Sequence, residues 1–197
     1  ALLVALVLLP LAGCREQGPA QTVPGTAPGA EPRIVLVREA FVTSARREDE
    51  IDSVAAWAHP EGDTWVIATA KASQRLLVFD GDSGEFLQAI GGRGTGPGEF
   101  NRPNGIAVHG DLLFVAERDN GRIQMFDLPG FEPRGSFGEG DLIAPYGLWL
   151  MPLADGGLDV FVTDSYLADV RTLTVPPLAE LDRRVRRYRL DPTDPMP

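Results

Sequence analysis

Six residues of this sequence are candidates for binding phosphate groups and hard metal ions. Carboxylates hold Ca²⁺ through their oxygens, and an ion held in this way can clamp a phosphate group and lower the pKa of bound water. The candidate carboxylates are Asp52, Glu117 and Asp164. Cationic and hydroxyl side chains bind the remaining phosphate oxygens. The candidates of this second kind are Lys71, Arg118 and Tyr146.

An internal repeat would bring these distant residues together. The stretch WVIATAKASQRLLVFD (65–80) aligns with LFVAERDNGRIQMFD (113–127), so that Phe79-Asp80 falls on Phe126-Asp127, 47 positions later. A third unit begins at VFVTD (160–164), and a short apolar segment precedes each unit. These segments are DSVAAWAHP (52–60), PNGIAVHG (103–110) and PYGLWLMP (145–152).

Four short strands in one repeat of this length are typical of a β-propeller blade. We therefore predict an all-β fold, a propeller of four-stranded blades of which about three are present, as a fragment of a six-bladed ring. Equivalent positions in neighbouring blades converge at one end of the central channel, where the six candidate residues would meet. We expect the three tryptophans to pack between blades; they are Trp57, Trp65 and Trp149.

The third unit differs from the first two by an insertion. Its partner strand, RVRRYRL (184–190), follows the long segment SYLADVRTLTVPPLAELD (165–182) instead of a short charged loop. We place the insertion at residues 165–180. It would stand at the same rim as the loop that contains Glu117 and Arg118.

The net charge of −10 argues against a nucleic-acid partner, which would require a basic face. The one basic run, RRVRR (183–187), alternates with apolar residues and is typical of a strand with a solvated face. His59 and His109 lack metal-ligand spacing, and the sequence has no Gly-x-Ser-x-Gly, Walker or His-Glu-x-x-His motif.

The N-terminal residues indicate export. Residues 1–13 form an apolar run too short to span a bilayer, as in a signal peptide, and Leu11-Ala12-Gly13-Cys14 resembles the bacterial lipobox, with Cys14 as the lipidation site. Residues 14–32 are rich in Pro, Gly and Ala and predict a flexible tether, so the propeller domain would span residues 33–197. We therefore expect a protein that is lipid-anchored to the bacterial cell envelope and contacts the membrane only through that anchor.

The order of segments from Ile51 to Leu150 resembles the β-propeller phytases, secreted calcium-dependent phosphatases that hydrolyse inositol hexakisphosphate. The matching segments are IDSVAAWAHP (51–60), TAKASQRLLVF (69–79), Asn104-Gly105-Ile106-Ala107, the AERD of 116–119 and Tyr146-Gly147-Leu148. The resemblance implies that phosphate groups contact Lys71, Arg118 and Tyr146, that Ca²⁺ is the cofactor, and that a phosphorylated small molecule such as phytate is the substrate. The family has a basic residue where this chain has Asp164.

One blade also resembles the NHL repeat, through RPNGIAV (102–108) followed by LLFVAERDNGRIQMFD (112–127). NHL propellers mostly bind proteins, RNA or ligands, so a non-catalytic binding lipoprotein is the alternative function. The individual residues also have simpler explanations. Lys71 could be solvated, Arg118 could pair with its neighbours, and Tyr146 could cap a strand.

Overall fold

The computed structural model describes residues 35–191. The chain divides into two units, Ala1–Arg38 and Glu39–Pro197. In the first unit, the described residues 35–38 are exposed and have no regular secondary structure. The predicted signal peptide, the tether at 14–32 and Cys14 lie outside the described residues. Among the residues that are described, no helix is long and apolar enough to cross a membrane.

The second unit consists of antiparallel sheets whose strands follow one another in chain order, within residues 35–191. The first sheet has β1 (Ile51–Ala58), β2 (Thr64–Ala70), β3 (Arg75–Asp80) and β4 (Phe86–Ile90). The second has β5 (Pro103–His109), β6 (Leu112–Glu117), β7 (Arg122–Asp127) and β8 (Glu132–Phe137). The third has β9 (Pro145–Pro152), β10 (Leu158–Asp164) and β11 (Val185–Leu190), with a single 3₁₀ turn at Leu178–Glu180 before its last strand.

The sequence pattern of the second sheet explains why it stands between the other two. Side chains alternate between the two faces of a strand, and β6 is apolar at every interior position, so both of its faces must be covered. Leu113 and Val115 pack toward the first sheet, whereas Phe114 and Ala116 pack toward the third. All four side chains are fully buried.

The first strand of each sheet lies next to the first strands of its neighbours. β1 contacts β5, and β5 contacts β9. This is the arrangement of propeller blades around a channel, with β1, β5 and β9 innermost. The predicted all-β propeller of blades is therefore confirmed, and the third blade has three strands within the described residues rather than the expected four.

The prediction for the tryptophans is correct for two of the three. Trp57 is 3% exposed and Trp65 packs against the same apolar layer between the first two sheets. Trp149 is 69% exposed, so its predicted core position is wrong within the described residues. The reason is its register: Leu148 and Leu150 face the second sheet, and Trp149 projects from the opposite face of β9.

Candidate functional site

One end of the three sheets gathers the loops that carry the predicted site residues. We call this end the upper rim; it comprises the loops that follow β2, β6 and β10 (71–74, 118–121 and 165–184) and the segments that lead into β1, β5 and β9. In each blade the loop is hydrogen-bonded to the segment that precedes the first strand. The bonds run from Lys71 N to Glu50 O (3.1 Å), from Arg118 N to Arg102 O (3.1 Å) and from Ser165 N to Ala144 O (2.9 Å).

Three of the six predicted residues are in direct contact at the upper rim. Lys71 Nζ lies 2.6 Å from Asp52 Oδ1 and donates a hydrogen bond to Tyr146 Oη at 3.0 Å. This cluster joins the first blade to the third, at the ends of the innermost strands. Lys71 is the only lysine in the sequence and is 8% exposed, whereas Tyr146 is 43% exposed.

The charge state of Lys71 follows from these contacts. Burial disfavours the ammonium form and lowers the pKa of Lys71, but hydrogen bonds and charge interactions with Asp52 and Tyr146 outweigh burial, so the pKa is raised above 10.5. Since Lys71 donates to Oη, the hydroxyl proton of Tyr146 is available for another acceptor. The cluster therefore presents a polarised O–H donor at the upper rim.

Gly105 is what lets the third blade approach closely enough for this contact. A Cβ atom at Gly105 would overlap with the carbonyl oxygen of Tyr146 and lie 3.1 Å from the Cα of Gly147. Any larger residue would push β5 and β9 apart. The glycine of the PNGIAV segment thus positions Tyr146 over the first blade.

Glu117 has a different environment from the one expected of a metal ligand. It is fully buried, and its carboxylate accepts four hydrogen bonds. Oε1 accepts from Arg122 Nε (2.7 Å) and Gln124 Nε2 (2.6 Å). Oε2 accepts from the backbone N–H of Asn101 (3.0 Å) and from Asn120 Nδ2 (2.6 Å). The four donors occupy the lone pairs that a metal ion would need.

The partners of Glu117 fix the loop that joins the first blade to the second. The guanidinium of Arg122 donates to the carbonyl oxygens of Thr95 (2.7 Å), Gly96 (3.0 Å) and Glu99 (3.1 Å). Arg122 thus connects the buried carboxylate with the glycine-rich segment GGRGTGPGEF (91–100). The buried ion pair holds this loop against the second blade.

Asp164 also has a structural role. Its carboxylate accepts the backbone N–H groups of Ile143 (2.9 Å), Ala144 (2.9 Å) and Tyr166 (2.8 Å), and the residue is 1% exposed. These bonds tie the segment before β9 to the beginning of the insertion. Asp164 is therefore the connector between the third blade and its long loop.

Arg118 lies apart from the Lys71 cluster and borders a pocket of about 540 Å³. Its Nε donates to Asp119 Oδ1 at 2.6 Å, which is the local ion pair considered as an alternative from the sequence. The pocket is lined by the residues Arg93, Asn101, Arg118, Asp119, Val170 and Arg171. Arg93 and Arg171 were not predicted, because neither lies in the repeated part of a blade.

The predicted carboxylates do not form one metal centre in this structure. Within residues 35–191, no group of three or more Asp, Glu, His or Cys side chains is arranged to hold a metal ion. Asp52 is paired with Lys71, and the oxygens of Glu117 and Asp164 are taken by hydrogen-bond donors. The described residues therefore do not fit a calcium ion, and calcium binding stays a prediction that rests on the resemblance.

The fold and the repeated blade contacts define this molecule as part of a β-propeller with a polar upper rim. Residues 51–164 match the model of a family described as 6-bladed beta-propeller. Because this match covers more than half of the chain, the chain belongs to that family. No curated protein matches the sequence.

Three solved structures match parts of this chain. One is the hydrazine synthase of Kuenenia stuttgartiensis, with 18% sequence identity, a TM-score of 0.41, and coverage of 67% of this chain and 36% of that one. A catalytically inactive virginiamycin B lyase from Staphylococcus aureus with quinupristin has 14% identity, a TM-score of 0.41, and coverage of 73% and 43%. A Bacteroides caccae protein of unknown function has 14% identity, a TM-score of 0.41, and coverage of 79% and 68%. The chain thus spans less than half the length of the first two proteins.

Proposed function

We propose that this chain is part of an exported, phytase-like phosphatase that binds phosphate monoesters of the inositol hexakisphosphate type at the upper rim. The supporting observation is the contact of Lys71 with both Asp52 and Tyr146. It joins two blades at the channel mouth with a cation and an exposed hydroxyl donor. The resemblance to phytases had selected these three residues independently of their contact.

The chemistry assigned to the cluster is phosphate binding. The O–H of Tyr146 donates to a phosphate oxygen, and the ammonium of Lys71 polarises that hydroxyl and adds positive charge behind it. Asp52 holds Lys71 in place and keeps it charged. Arg118 binds a second phosphate group through the terminal guanidinium nitrogens that its pair with Asp119 leaves open.

Calcium would supply charge neutralisation and an activated water in such a phosphatase. The described residues do not fit it, so its ligands would have to come from other blades of the six-bladed ring.

The test is phosphate release from inositol hexakisphosphate by the full-length protein, with and without a calcium chelator. We expect Tyr146→Phe to lower kcat/KM roughly tenfold, the effect of losing one hydrogen bond to a charged group. Tyr188→Phe is the matched control, because Tyr188 lies between the second and third blades and its buried hydroxyl has no partner within the described residues. No release in either condition would refute the phosphatase.

The second candidate function is a non-catalytic, NHL-type binding lipoprotein. It is favoured by two observations. Glu117 and Asp164 serve structural roles, and within the described residues no group of side chains is arranged to hold a metal ion. Binding of inositol hexakisphosphate without hydrolysis would support it. In either case we propose lipid anchoring at Cys14, and Cys14→Ser should abolish incorporation of labelled palmitate.

A further inference from the structure

The pocket beside Arg118 is formed by three separate loops of the upper rim. Arg93 and Asn101 come from the connection between the first two blades, Arg118 comes from the loop after β6, and Arg171 comes from the insertion after β10. At about 540 Å³ the pocket has the volume of a small-molecule site. No single blade could form it alone.

The charge of the pocket is opposite to that of the chain. Three guanidinium groups and one carboxylate, that of Asp119, border it, whereas the whole chain has a net charge of −10. Of the three guanidinium nitrogens of Arg118, only Nε has a hydrogen-bond partner among the described residues. The pocket therefore offers cationic donors that can bind an anion without breaking existing bonds, with the apolar side chain of Val170 as a further wall.

Two of the three walls are rigidly supported. The backbone N–H of Asn101 donates to Glu117, and Arg122 holds the carbonyls of the loop that carries Arg93. Arg118 directly follows Glu117 in the chain, and its N–H donates to Arg102 O. When a site is already held in place by buried contacts, ordering its side chains on ligand binding costs less free energy, so the ligand binds more tightly.

The insertion presents Arg171 on a defined turn. The backbones of Asp169 and Thr174 pair, and the Asp169 carboxylate accepts the N–H of Arg171 at 2.8 Å. The side chain of Thr172 bonds to that of Thr174 at 2.7 Å. Arg171 therefore lies at the tip of a short hairpin that is closed by its own hydrogen bonds. Because of these bonds, the insertion forms an ordered wall of the pocket.

From this arrangement we propose that the pocket binds a small molecule with at least two anionic groups, and that Arg171 of the insertion determines its selectivity for such ligands. Arginine recognises phosphate and carboxylate groups by the same bidentate geometry, and cations on opposite walls match two or more anionic groups better than one. The inference rests on the proposed function only in placing an anionic ligand at the upper rim. It requires neither hydrolysis nor calcium.

Calorimetric titration of the full-length protein with inorganic pyrophosphate and with citrate tests the inference. We expect at least one of them to bind, with an affinity that falls as salt is raised. Arg171→Gln and Arg93→Gln should each weaken binding roughly tenfold, the effect of one charged hydrogen bond. Stronger binding of pyrophosphate would identify phosphates as the ligand class, and stronger binding of citrate would identify carboxylates.

The matched control is Arg189→Gln, which removes the same charge at the opposite end of the third sheet, where Arg189 pairs with Asp155. It should leave binding unchanged. Val170→Trp tests the site by filling the pocket and should abolish binding without changing any charge. The inference is wrong if neither anion binds, or if Arg171→Gln binds as tightly as the unaltered protein.

The same titrations separate this inference from the proposed function. Tyr146→Phe should leave anion binding in the pocket unchanged, since Tyr146 is not among its lining residues. A roughly tenfold lower kcat/KM for phosphate release in Tyr146→Phe, with no anion binding in the pocket of the unaltered protein, would overturn only this inference. Anion binding without phosphate release would support the inference and overturn only the phosphatase.

Discussion

Replacing Glu117 with glutamine would remove a buried negative charge while keeping the shape of the side chain. The carboxylate accepts two hydrogen bonds at each oxygen, from Arg122 and Gln124 at one and from Asn101 and Asn120 at the other. Whichever way the new amide is turned, its NH₂ group faces two donors. At least two hydrogen bonds are therefore lost, and the charge of Arg122 remains buried without its partner.

The neighbouring amides cannot rotate to compensate for this loss. Asn120 also donates to the carbonyl of Gly94 at 3.0 Å, and Gln124 donates to Glu99 O at 2.8 Å while accepting from Gly98 N at 3.0 Å. Breaking a buried ion pair from one side costs about 3–5 kcal/mol. We therefore expect Glu117→Gln to lower the free energy of unfolding by about that amount, out of the roughly 5–15 kcal/mol typical of a domain.

Urea unfolding followed by tryptophan fluorescence would measure this change, because Trp57 and Trp65 lie in the layer between the first two blades. Glu132→Gln is the matched control, since Glu132 is exposed on β8 of the same blade, and a surface change of this kind stays within about 0.5 kcal/mol. Faster amide exchange at Asn101 would localise the defect. A loss below about 1 kcal/mol would refute the assignment of Glu117 as a structural centre.

Two further predictions concern the Lys71 cluster. Because the pKa of Lys71 is raised in the folded protein, its stabilising contribution is complete below pH 10.5 and is lost as the pH rises through the higher folded value. Thermal unfolding between pH 8 and 11 should show a steeper alkaline loss in the unaltered protein than in Asp52→Asn, and equal slopes would contradict the pairing. Gly105→Ala should destabilise the fold by about 1–3 kcal/mol through overlap with the carbonyl of Tyr146. Gly92→Ala, which has open space around its Cβ position, should not, and equal melting temperatures for the two variants would contradict the close approach of β5 and β9.

The fold was accessible from the sequence because a propeller repeats itself. The recurrence of Phe-Asp after 47 residues placed β3 and β7 in equivalent positions. In the structure each is the third strand of its sheet, β3 between β2 and β4 and β7 between β6 and β8. Strand alternation alone could not place Trp149, since the face on which a side chain lies depends on the register with the neighbouring sheet. The structure shows which face of β9 is covered, because Leu148 and Leu150 pack against the layer between the second and third sheets.

The candidate site was accessible only in part. The contact of Lys71 with Asp52 and Tyr146 agrees with the expectation that equivalent blade positions converge. The burial of Glu117 could not be read from the sequence, because a glutamate beside an arginine is also the pattern of an exposed loop. Arg171 was missed for a different reason: the insertion has no counterpart in the other blades, so the repeat gave no indication of where its side chains lie.

The long connection between β10 and β11 has a consequence for how the chain reaches its native state. The hairpins β2–β3 and β6–β7 close loops of four residues, whereas β10 and β11 pair across twenty. The entropy of closing the longer loop costs about 1.4 kcal/mol more, which slows its formation relative to the short hairpins. We therefore expect the first two blades to form early and to act as the template on which β9 and β10 assemble. The strand β11 would then be the last to be added, and the turn that carries Arg171 would become ordered at the end of folding.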